Sequence, residues 1–67
     1  MTKMKYKGWE IEAIPEKLKD KRMMVRAKIR LRNEAFLQSK EEFYSNPTKA
    51  IEASIRFAKW MVDQRED

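Results

Sequence analysis

Apolar and polar positions alternate in two stretches of this chain, and then the period changes. In residues 6–14, YKGWEIEAI, one side carries Trp9, Ile11 and Ala13 and the other carries Gly8, Glu10 and Glu12. A period of two predicts a strand, because successive side chains on a strand point to opposite faces. Pro15 should end it, since proline has no N–H to give to a ladder. A polar loop, PEKLKDKR, follows. Residues 23–32 then alternate again, with Val25, Ala27, Ile29 and Leu31 set against Arg26, Lys28, Arg30 and Arg32.

The two stretches predict an antiparallel hairpin. Opposed residues must share a face, so their numbers sum to an even value, and a slip of one residue would turn every apolar group to water. A sum near 38 sets Ala13 beside Val25, Ile11 beside Ala27 and Trp9 beside Ile29. On the other face it sets Glu12 beside Arg26 and Glu10 beside Lys28, each such pair worth roughly 0.2–1 kcal/mol. Arg30 and Arg32 are then left without a carboxylate neighbour and, with Lys3, Lys5 and Lys7, lie at an end of the hairpin that no nearby acid neutralises.

Asn33 and Glu34 read as a turn. Residues 35–38 predict a third strand running on toward Phe43 and Tyr44. Its alternation is broken where Phe36 meets Leu37 and Phe43 meets Tyr44, which a bulge would explain.

After Tyr44 the period becomes that of a helix. Asn46 suits an N-cap and Pro47 the first helical position. At about 100° per residue, Ala50, Ile51, Ser54, Ile55, Ala58, Met61 and Val62 form one broad apolar face. Lys49, Glu52, Arg56, Lys59 and Asp63 form the other. The expected fold class is α+β: an antiparallel meander of two or three strands with one C-terminal helix packed on one face. All 67 residues make a single β-β-(β)-α domain.

Composition adds two things. A chain this short buries only about 60% of the surface its unfolded form exposes. It has no cysteine and no histidine, so neither a disulfide nor a thiolate zinc site can reinforce it, and a second copy of the chain is a reasonable source of stability. The net charge of +5 is also unevenly placed. Residues 1–32 hold eleven Lys/Arg against four acids, a sum of +7, and residues 33–67 hold five against seven, a sum of −2. Such a split suggests a surface for an anionic partner.

The first candidate surface is therefore cationic: Arg26, Lys28, Arg30 and Arg32, with Lys5 and Lys7 beside them and Tyr6 as a stacking ring. Cations around a ring on an open sheet suit single-stranded nucleic acid. The loop cations Lys17, Lys19, Lys21 and Arg22 could reach the same ligand. The second candidate is apolar. On the helix wheel Trp60 lies about 150° from the centre of the apolar face, next to Ala53, with Phe57 between it and the core and Arg56 able to stack on it. Tryptophan is enriched at interface hot spots, so this side predicts a protein partner or a homodimer.

Catalysis is not expected. Acid–base work near neutral pH most often uses histidine. Ser39, Ser45 and Ser54 have no histidine base, and Glu41 and Glu42 point to opposite faces of a strand. No phosphate loop or metal-ligand spacing is present, so no catalytic residue, metal, cofactor or small-molecule substrate is predicted. The N-terminus lacks the apolar run of a signal peptide, and no stretch approaches the roughly 20 apolar residues of a membrane span. The expected location is the cytoplasm.

The segments YKGWEIEAIP and FYSNPTKAIEASIRFAKWMV give the chain a resemblance to small bacterial β-β-β-α proteins with a core like that of double-stranded-RNA-binding domains. The resemblance implies a sheet followed by a helix with small residues on its inner side. It does not imply RNA binding. The family's first helix has no room before Tyr6, and of the paired lysines that open its last helix only Lys49 has a counterpart.

Overall fold

The first alternating stretch folds as two strands. In the computed structural model, which describes residues 2–66, β1 (Thr2–Tyr6) turns back into β2 (Trp9–Ala13). Tyr6 opposes Trp9, so Lys7 and Gly8 alone make the turn, with φ of 52° and 84°. Two positive φ values in a row mark the tight hairpin turn whose twist matches that of strands, and Gly8 takes its share without strain. The expected single strand from Tyr6 to Ile14 is thus corrected: Gly8 is a turn residue.

The chain continues through β3 (Glu16–Lys17), β4 (Met23–Leu31), β5 (Glu34–Tyr44) and α1 (Pro47–Glu66). The sheet has five strands, more than the two or three expected, and all its pairings are antiparallel. β4 is its centre. β5 pairs along the whole of one side of β4, and β2 and β3 share the other. Paired numbers sum to 40 in both β2–β4 and β3–β4, so β2 and β3 are one line of chain interrupted at Ile14 and Pro15. The loop expected after Pro15 therefore begins with a short strand.

That sum of 40 corrects the expected 38. Parity survives, so the faces are as predicted, but each neighbour moves by two: Ala13 opposes Ala27, Ile11 opposes Ile29, Glu12 opposes Lys28 and Glu10 opposes Arg30. β4 and β5 are joined by a turn at Arg32 and Asn33, one residue earlier than expected, with Arg32 at φ 59°. Their register shifts between Met24 and Val25, where the extra residues Glu41 and Glu42 are absorbed. This is the bulge that the broken alternation required.

The helix begins as its cap predicts. Asn46 Oδ1 accepts hydrogen bonds from the backbone N–H groups of Thr48 (2.8 Å) and Lys49 (3.3 Å). It packs against the inner sheet face, where Val25, Ala27, Ile29 and Ile11 meet Ala50, Ala58, Met61 and Val62, all at most 1% exposed. Each large aliphatic side chain buried here contributes about 1.5–3 kcal/mol. Ser54, the buried polar residue of the helix face, accepts a hydrogen bond from the backbone N–H of Arg26 at 3.3 Å. Among the described residues no helix is long and apolar enough to cross a membrane.

Candidate functional site

Two surfaces remain outside this core. The first is the outer sheet face, opposite α1. Pairing builds two rows across it: Lys5, Glu10, Arg30, Ala35 and Lys3, Glu12, Lys28, Leu37. In each row a carboxylate stands between two cations, leaving one positive charge in excess. Arg30, expected to lack an acidic neighbour, has Glu10. Arg32, in the β4–β5 turn, lies beside the first row. Lys5, Arg30 and Arg32 surround a shallow hollow of about 360 Å³ with Gly8, Glu10 and Leu31. The Arg30 Nε–H donates to the Arg32 carbonyl at 3.3 Å, which holds the guanidinium along that rim. Among the described residues the side chains of Lys3, Lys5, Lys28 and Arg32 make no hydrogen bond or ion pair.

Three predicted members of this surface are engaged by the fold itself. Arg26 is on the outer face, but its Nε–H donates to the Ile14 carbonyl at 2.9 Å and Nη1 is 3.6 Å from Glu16, so it bridges the break between β2 and β3. Tyr6 opposes Trp9 and so belongs to the inner face. Its hydroxyl donates to Asp63 Oδ1 at 3.0 Å, and Lys59 lies 5.5 Å from its ring centre. Lys7, in the turn, donates to the same Asp63 oxygen at 2.8 Å. These contacts, Lys7 first, hold the Asp63 carboxyl below its ordinary 3.8. Tyr6 and Lys7 are thus clamps between the first hairpin and the helix end. The error came from reading residues 6–14 as one strand, because a turn at Lys7 and Gly8 reverses the chain and returns Tyr6 to the face of Trp9. Lys3, grouped with Lys5 and Lys7 at the hairpin end, keeps to the outer face at a spacing of two from Lys5.

The second surface is a groove of about 660 Å³ between α1 and β5, lined by Ala53, Arg56, Phe57 and Trp60 on one wall and by Gln38, Lys40 and Glu42 among others on the opposite wall. Trp60 is 53% exposed and stacks on Phe57, with ring centres 5.9 Å apart and planes 11° from parallel. Ala53, expected at the contact itself, is 4% exposed and lies deeper, in the groove's lining. Arg56, expected to stack on Trp60, acts instead on the Glu42–Tyr44 pair at the groove's end. There the hydrogen bond between the Tyr44 hydroxyl and Glu42 raises the Tyr44 pKa and, aided by Lys40, lowers that of Glu42. The β5 wall was not foreseen. Its signal is the polar run Gln38, Lys40, Glu42 at a spacing of two, on positions that face the apolar side of β4.

No family model, curated protein or solved structure matches the chain. Residue roles on these surfaces accordingly rest on geometry and charge.

Proposed function

We propose that this chain is a non-enzymatic binding module that docks the phosphate backbone of nucleic acid on the outer face of its sheet. The observation that carries the reading is the set Lys3, Lys5, Lys28, Arg30 and Arg32, all exposed, facing two carboxylates on a face that the helix leaves bare. Cations at strand spacing neutralise successive phosphates and release counterions, which supplies affinity without sequence preference. Arg32 adds a further indication. It occupies a left-handed turn position that glycine or asparagine would fill at less cost, so a cation stands where local geometry does not ask for one. The ring expected among these cations, Tyr6, faces the helix, so the contact is with backbone phosphates and base stacking on Tyr6 is not part of it.

Two triple variants test this at one salt concentration. Replacing Lys5, Arg30 and Arg32 with Ser removes three charges from the outer face. Replacing Lys17, Lys19 and Lys21 with Ser removes the same charge from residues 16–22. The first should strongly weaken a gel shift with generic DNA and RNA for all sequences alike, and the second should leave most of it. Equal losses would mean that net charge alone binds, and the reading would fall.

A protein contact through the Trp60 side is a second, compatible reading. It is favoured by the half-exposed Phe57–Trp60 stack over an open groove, since a tryptophan of that exposure gains most from a partner that covers it.

A further inference from the structure

We infer that the partner covering the Trp60 side is a second copy of this chain, joined through antiparallel pairing of β5 with its own copy about a two-fold axis at Leu37. This rests on the reading of the Trp60 side as a protein contact and is independent of nucleic-acid binding. β5 is an edge strand of eleven residues, paired on one side only. Monomeric proteins guard such edges with charges, proline or short length. The middle of β5, residues 35–39, reads AFLQS and holds no charge, proline or glycine. Leu37 is 56% exposed there, on the outer face between Ala35 and Ser39.

Charge selects the same partner. Residues 33–67, which contain β5 and α1, sum to −2, whereas residues 1–32 sum to +7. Two copies meeting at β5 approach through their least cationic sides and keep their basic faces apart. Register then follows from complementarity. If paired numbers sum to 74, Leu37 opposes Leu37 of the second copy, Glu34 opposes Lys40 of the second copy, and Phe36 opposes Gln38. A slip of one residue would oppose unlike faces. The even sum keeps both helices on one side of a continuous sheet. The two grooves then open toward each other above the joined β5 strands, and each Phe57–Trp60 stack faces into the shared space. A two-fold interface of this kind satisfies both unpaired edges at once.

The chain has no cysteine, so one substitution supplies the only thiol. Opposed residues of an antiparallel pair have Cα atoms about 4.5–5.5 Å apart, within the reach of a disulfide. The Leu37→Cys variant should form a covalent dimer under mild oxidation. The Ala35→Cys variant should not, because its two thiols would stand about 14 Å apart along the strands. Sedimentation of the unmodified chain should show a dimer, and Trp60→Ser should raise its dissociation constant by about thirtyfold while leaving the helical circular dichroism unchanged. A monomer up to sub-millimolar concentration would overturn the second copy as partner but leave the Trp60 side open to another protein. A dimer that does not cross-link through Leu37→Cys would overturn the β5 pairing. A dimer indifferent to Trp60→Ser would remove the protein-contact reading of that side as well.

Discussion

The two sides of β4 are finished differently. Toward β2 and β1 the inner face is closed by the helix and tied at its end: Tyr6 and Lys7 donate to Asp63, and the Trp9 indole N–H donates to Glu66 at 2.9 Å. Toward β5 the principal tie is Phe36, which lies beneath the Arg65 guanidinium at 4.2 Å and 6.4 Å from the Trp9 ring. The reason is partly width. A helix is about 10–12 Å across with its side chains, and strands stand about 4.8 Å apart, so one helix covers little more than two strands. Here four lines of strand lie side by side, and the polar positions Gln38 and Lys40 give the helix no apolar reason to lean toward β5. The closed half supplies the stability. The open half and the outer face are the surfaces for which we propose partners.

The largest effect that would sharpen this contrast is in the core. Ile29→Ala, at a position with no exposure, should cost about 2–5 kcal/mol in urea unfolding. Gln38→Ala, across the β4–β5 ladder from buried Ala27, should change stability by less than about 0.5 kcal/mol. Near-equal costs would mean that β5's inner face is covered after all. Next in size is the Asn46 cap, whose replacement by Ala should cost about 1 kcal/mol. Trp9→Phe keeps most of the packing and removes the hydrogen bond to Glu66, so a loss of about 0.5–1.5 kcal/mol is expected in the same assay.

The smallest effect concerns pH. The folded Asp63 pKa is lowered, so its contribution to stability is present above 3.8 and is lost as the pH falls through the lower folded value. Asp63→Asn should therefore be less stable than the parent at neutral pH, and the gap should close in acid. A gap that stays constant as the pH falls would show that the clamp contributes nothing through its charge.

Much of this was legible because period and parity are strong signals. Alternation in residues 23–32 placed Val25, Ala27 and Ile29 under the helix and Lys28 and Arg30 away from it, as found. The Asn46–Pro47 start marked the helix to the residue. Turn chemistry was read less well. Gly8 next to Lys7 and Arg32 before Asn33 both make two-residue turns, and in each a basic residue takes a positive φ that composition does not advertise. Missing the first hid β1 and misplaced Tyr6. The register error had another source: sums of 38 and 40 preserve the same faces, and only the connection through Pro15 and β3 decides between them. The groove could not be read from either element alone, because it exists only where the helix stops covering the sheet.

The outer face is the central claim, and its most direct measurement is the affinity for a generic DNA duplex as salt is raised. Three to five phosphate contacts should give a linear fall of log K against log salt with a slope of about −3 to −4.5, shallower by roughly 2–3 in the Lys5, Arg30 and Arg32 to Ser variant. No complex at the lowest salt, or a slope that the variant leaves unchanged, would contradict it.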